Sequence, residues 1–141
     1  DIVKEQIKIA DGKELEFTQK DIKFNGHAIE CRINAENPDK NFRPCPGTIT
    51  ELNLPGGNGV RIDTAVYTGY TIPPVYDSMI AKLIVHAENR DAAIAKMKRA
   101  LEECVIEGID TNIDFLFKIL SNEQFKNNDY DTSFIETILN K

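Results

Sequence analysis

The spacing of apolar and polar positions changes along the chain, and the elements follow from it. In residues 1–10, Val3, Ile7 and Ala10 recur at helical spacing, and Gly12 stands where a left-handed residue can end the helix. The period then drops to two. Leu15 and Phe17 alternate with polar neighbours, as do Ile22 and Phe24, so two short strands are expected around a turn near residues 19–21. After Gly26, Ile29, Cys31 and Ile33 fall on one face of a strand and Glu30, Arg32 and Asn34 on the other. The stretch NPDKNFRPCPG, rich in proline, reads as an ordered loop. Alternation resumes at Thr48 to Leu54, with a slip that suggests a bulge near Glu51 and Leu52. A glycine-rich turn, PGGNG, leads into a strand region VRIDTAVYTGY. Pro73-Pro74 and a polar interruption, Tyr76-Asp77-Ser78, precede a buried strand from Met79 to Val85.

The last third is helical. Asn89 or Asp91 can cap a helix carrying Ile94, Met97, Leu101 and Cys104, with Gly108 as its end. Thr111 and Asp114 read as a capping box before Ile113, Leu116, Phe117 and Leu120, and Ser133 with Glu136 repeats the device before Ile135, Ile138 and Leu139. Antiparallel strands and hairpins followed by two to three C-terminal helices indicate an α+β fold.

Composition narrows the function classes. The 141 residues are 41% hydrophobic and 28% charged, enough for one domain with a core. A net charge of −6 argues against nucleic-acid partners and against anionic membranes. No apolar run is long enough to span a bilayer. Three cysteines without a Cys-x-x-Cys fit free thiols and a reducing cytoplasm. His27 and His86 lack metal-ligand spacing, so no metal site is expected. The chain opens on Asp1 inside a helical pattern, as a segment of a longer protein would.

The candidate chemistry centres on PGGNGVRID, residues 55–63. It lacks the dinucleotide fingerprint and the Lys-Ser/Thr of a phosphate loop. Two readings stand. The glycines form a tight hairpin turn, or they clear space for a ligand beside Arg61, whose permanent charge and fixed fork of donors suit an oxyanion. Glu30 and Arg32 read as a solvated charged face, Cys45 between two prolines as a rigid loop residue, His86 as structural and Met97 as core.

GHAIECRINAE (26–36), FRPCPGTI (42–49), PGGNGVRID (55–63), GYTIPPVYDSMIAKLI (69–84) and ENRDAAIAKMKRALEE (88–103) together resemble the C-terminal part of the biotin carboxylase family. Residues 1–15 resemble the segment entering that domain from the ATP-grasp lobe. The resemblance implies that residues 1–24 are the tail of the ATP-binding lobe and residues 25–141 the C-terminal domain. It implies a ligase that uses ATP, Mg2+ and bicarbonate to carboxylate biotin on the biotin carboxyl carrier protein. It places Arg61 at the biotin and bicarbonate end of the site, as a catalytic and substrate-binding residue, with the glycines letting the bicyclic ring approach. Glu107, before Gly108 at the helix end, is the candidate orienter of Arg61. The ATP and magnesium ligands are expected upstream of Asp1, so this chain alone is expected to fold but to be inactive. Expected partners are the carrier protein, carboxyltransferase subunits and a second copy in a homodimer, with contacts around His86 to Arg90. The end at Lys141 favours an acetyl-CoA carboxylase component of fatty acid synthesis. Pyruvate and propionyl-CoA carboxylases share the motifs, and a non-catalytic dimerisation or docking module is the competing class.

Overall fold

The computed structural model describes residues 1–75 and 77–139. Tyr76, part of the expected polar interruption, and the last two residues of the expected 25–141 domain lie outside the described residues. Helix α1, Ile2–Ala10, is capped by Asp1, whose carboxylate accepts from the Lys4 amide at 3.0 Å. None of its residues is buried, and Ile2, Val3, Ile7 and Ile9 face solvent. The strands expected over residues 14–24 are absent. Those residues are irregular apart from a 3₁₀ turn at Gln19–Asp21, where Asp21 accepts from both the amide and the hydroxyl of Thr18. Alternation alone does not make a strand. Among the described residues no strand pairs with this segment, and Leu15, Phe17, Ile22 and Phe24 stay exposed.

The core is a three-stranded antiparallel sheet backed by a helix. Strand β1, His27–Asn34, is followed by the short β2 (Glu36–Asn37), β3 (Arg43–Pro44), β4 (Gly47–Thr48) and β5 (Glu51–Asn53). Next come β6 (Val60–Thr64), β7 (Thr71–Ile72) and the long β8 (Met79–Ala87), then helix α2 (Arg90–Glu103). The main sheet has the order β1-β8-β6. Its register aligns Ile29, Val85 and Val60 in one row, and Cys31, Leu83 and Ile62 in the next. These side chains meet Ala93, Ile94, Met97, Ala100 and Leu101 of α2, all buried. Each fully buried leucine- or isoleucine-sized side chain contributes about 1.5–3 kcal/mol, so this one layer supplies most of the apolar stabilisation.

The sequence after α2 corrects an expectation. The helix ends at Cys104, and β9, Val105–Glu107, pairs antiparallel with β5, setting Glu51 opposite Glu107. Gly108 therefore follows a strand rather than a helix. The slip in alternation near Leu52 is a change of partner, not a bulge: β4 pairs with β7 and β5 with β9. The ladder irregularity falls instead between Ile33 and Asn34.

Helices α3 (Ile113–Ser121), α4 (Glu123–Lys126) and α5 (Phe134–Leu139) close the chain. The expected capping box of Thr111 and Asp114 does not form. The cap residue is Asn112, and its side chain is used elsewhere: its oxygen accepts from the Asn34 amide at 2.8 Å and its amide donates to the Arg32 carbonyl at 3.0 Å. Asn112 is the buried polar residue that ties α3 to the end of β1. Ser133 likewise turns from Glu136 and donates through its amide and hydroxyl to Asp131, at 2.8 and 2.6 Å, holding that carboxyl below the usual range.

Candidate functional site

Pairing in β6 decides where Arg61 stands. Val60 and Ile62 turn toward α2, so Arg61 and Asp63, one residue out of phase, share the open face of the sheet. The guanidinium lies back along the strand. Its Nε donates to Asp63 Oδ1 and its Nη2 to Asp63 Oδ2, both at 2.8 Å. This side-on fork raises the arginine's affinity for its proton and holds the Asp63 carboxyl below the usual range, through the hydrogen bond first and the charges of Arg61 and Lys82 after it. The Arg61 side chain is still 72% exposed.

The register builds a patterned face around this pair. Glu30, Ile84 and Arg61 form one row across the sheet, and Arg32, Lys82 and Asp63 the next. Glu30 pairs with Arg32 at 3.5 Å, as Asp63 does with Arg61 at 2.8 Å. Three cations stand against two carboxylates here, on a chain whose net charge is −6. The expectation of a charged, solvated face for Glu30 and Arg32 holds, and that face continues to Arg61.

The glycine loop is explained by the fold. Strands β5 and β6, on either side of it, do not pair with each other, so it is not a hairpin turn. Gly59 has a φ of +71°, and its carbonyl accepts from the His86 amide at 2.9 Å. A Cβ there would lie 2.4 Å from the His86 carbonyl oxygen and 2.6 Å from Lys96 Nζ, which itself donates to that oxygen at 2.7 Å. Arg99 of α2 reaches the Gly56 carbonyl at 3.3 Å. The loop is thus clamped between β8 and α2, and Gly59 admits the backbone of β8 rather than a ligand. The space beside Gly56 is open.

Glu107 is not brought to Arg61. It is exposed on β9, and its side of the molecule lines a cavity of about 670 Å³ with Asp110, Asp114 and Lys118; Arg61 lies outside that cavity. Among the described residues no ion pair joins Glu107 to Arg61, and the carboxylate paired with Arg61 is that of Asp63. Sequence reading misses Asp63, although its signal, an acid two residues along one strand, is there to be seen. Arg90, expected at a contact between copies, is half-buried within the domain, over the Phe125 ring at 4.7 Å with Nη1 3.3 Å from His27 Nε2. His86 meets the Asn25 carbonyl at 2.7 Å. The cysteines are free thiols. Burial pushes Cys31 up to about 12 and Cys104 up to about 11, and Cys45 accepts from the Asp110 amide at 3.3 Å. No helix of the described residues is long and apolar enough to cross a membrane.

The result is an α+β domain that carries Arg61, paired with Asp63 and 72% exposed, on the open face of its antiparallel sheet. Residues 30–137 match the family described as the biotin carboxylase C-terminal domain, and the chain belongs to that family. It is 59% identical over 137 residues to biotin carboxylase 1 of Bacillus subtilis (strain 168), covering 97% of this chain and 30% of that protein. It is 54% identical over 136 residues to the biotin carboxylase of Nostoc sp. (strain PCC 7120), covering 96% of this chain and 30% of that one. A component of the pyruvate carboxylase of Methanothermobacter thermautotrophicus is 57% identical over 136 residues, covering 96% of this chain and 28% of that protein. Among solved structures, the biotin carboxylase domain of a thermophilic 2-oxoglutarate carboxylase bound to bicarbonate superposes with a TM-score of 0.92 at 47% identity, over 97% of this chain and 31% of that one. The chain therefore spans about 30% of the length of these relatives.

Proposed function

We propose that this domain supplies Arg61 to the active site of an ATP-dependent biotin carboxylase, a ligase that carboxylates biotin on its carrier protein. The observation that carries the reading is the outward guanidinium of Arg61, tethered by Asp63 on the open face of the sheet. As the biotin ureido nitrogen loses its proton, negative charge grows on the ureido oxygen. A fixed cation binds that charge more strongly than it binds neutral biotin, which lowers the barrier. The same planar fork suits bicarbonate.

In this reading the nucleotide and magnesium are held by parts of the enzyme outside this chain. No group of three or more His, Cys, Asp or Glu side chains among them is placed to hold a metal ion, and the glycine loop spends its backbone on β8 and α2. In this reading residues 1–24, nearly all exposed and with no buried side chain, belong to the tail of an ATP-binding lobe, and this chain alone is inactive.

The acceptor is chosen in a later carboxyltransferase reaction, so one domain serves acetyl-CoA carboxylase in fatty acid synthesis and pyruvate carboxylase alike. We favour the acetyl-CoA carboxylase parent, with a cytoplasmic homodimer, the carrier protein and carboxyltransferase subunits as partners. The test is Arg61→Gln in the full-length enzyme. Carboxylation should slow roughly a hundredfold or more with little change in the KM for ATP, and Arg61→Lys should restore only part of it, because a point charge lacks the fork. A variant that melts early but turns over normally would overturn the assignment.

A further inference from the structure

We propose that Asp63 is the positioning residue of this site: by gripping the side edge of the Arg61 guanidinium it presents the end-on edge to the reacting oxyanion. This rests on the reading of Arg61 above and adds a second residue to it. A guanidinium carries five N–H donors in one plane. Asp63 takes the Nε–H and one Nη2–H, each at 2.8 Å. The Nη1 hydrogens and the second Nη2–H remain, and they form the edge that matches a planar oxyanion in two parallel bonds. Without a partner, a long side chain 72% exposed to water would sample many rotamers and would have to be ordered anew by each substrate.

The backbone supports this role. Arg61 and Asp63 are two residues apart on one strand, and β6 is held in register by β8 from Val60 to Thr64, so the distance between the two side-chain roots is set by the ladder. Lys82 faces Asp63 across the ladder and favours its ionised form. The neighbouring carboxylate, Glu30, is engaged with Arg32 on the far side of β8 and leaves Arg61 to Asp63. An exposed pair of this kind adds little to folding stability, so its effect should show in the rate rather than in the melting temperature.

The experiment measures carboxylation and melting of the full-length enzyme carrying Asp63→Ala, Asp63→Asn, Asp63→Glu, Arg61→Gln and the double variant Arg61→Gln/Asp63→Ala. Expected are a kcat for biotin carboxylation lowered roughly ten- to a hundredfold in Asp63→Ala, an unchanged KM for ATP and an unchanged melting temperature. Asp63→Asn, which keeps one acceptor of the same shape, should fall between, and Asp63→Glu should recover most of the rate. The double variant should be no slower than Arg61→Gln alone, because Asp63 acts through the arginine. If Arg61→Gln is slow and both Asp63→Ala and Asp63→Asn turn over like the parent, the positioning role is wrong and the Arg61 reading stands. Additive losses in the double variant would show Asp63 acting by another route and would overturn the proposal. If Arg61→Gln itself turns over normally, both readings fail together. Should Asp63→Ala not fold, Asp63→Asn and the cycle built on it decide.

Discussion

Replacing Gly59 by alanine separates the two meanings that a glycine-rich loop can have. At φ +71° an L-residue is strained, by about 1–2 kcal/mol. The added methyl would stand 2.4 Å from the His86 carbonyl oxygen, which is backbone and cannot swing aside, and 2.6 Å from Lys96 Nζ, which can. Relieving the first contact means moving the loop off β8, which weakens the 2.9 Å bond from the His86 amide to the Gly59 carbonyl. Overpacking and one weakened hydrogen bond bring the cost to roughly 3–5 kcal/mol. For a domain of this size that is a drop in Tm of roughly 10–15 °C. Gly56→Ala is the matched control: nothing lies within 4 Å of its Cβ position and its φ is not positive, so its Tm should stay close to that of the parent. Thermal unfolding followed by circular dichroism on the 141-residue chain reads both. If Gly59→Ala melts with the parent, or if Gly56→Ala loses as much, the clamp between β8 and α2 is not what requires the glycine. Normal melting of Gly59→Ala combined with slow carboxylation in the full-length enzyme would restore the ligand-access reading.

Asn112→Ala removes both side-chain bonds that tie α3 to β1 and leaves the Asn34 amide and Arg32 carbonyl short of partners, so urea unfolding should show a loss of about 2–4 kcal/mol; a loss under about 0.5 kcal/mol would mean the tie is dispensable. The buried thiols give a pH signature. Cys31 and Cys104 stay protonated in the folded chain up to about 12 and about 11, whereas unfolded thiols ionise near 9.0, so the unfolded state binds fewer protons between those values. Stability is full below 9.0 and falls as pH rises toward about 11 to 12, and replacing both cysteines by alanine should flatten that slope in unfolding measured from pH 8 upward. A slope that survives the double replacement would place the effect on other groups.

The elements whose partners lie on both sides are the legible ones. Strand β1 alternates because one face is against α2 and the other open, β8 stands out as an apolar run at the centre of the sheet, and α2 shows its apolar stripe against that same layer. Strand β9 passes for the end of a helix because three residues carry no period, and only pairing with the distant β5 makes them a strand. Residues 14–24 mislead the other way, alternating with no strand to pair. Asn112 looks like one of several polar residues at a helix start, and its tie to β1 spans 78 positions, beyond the reach of any local pattern. Arg61 is visible from its glycine context, but the reason for the glycines is not, since the contact with His86 is made in space.

Strand β6 has one further implication. The pairing with β8 that seats Val60 and Ile62 against α2 also sends Arg61 and Asp63 to the open side. A slip of one residue would expose the first pair and bury the second, so such a shift cannot turn Arg61 inward without also giving up the core contacts of Val60 and Ile62. Aim and stability are one degree of freedom here. Changes elsewhere that tighten the sheet should therefore hold the arginine more steadily, and whatever keeps the core sound also keeps the position of this side chain.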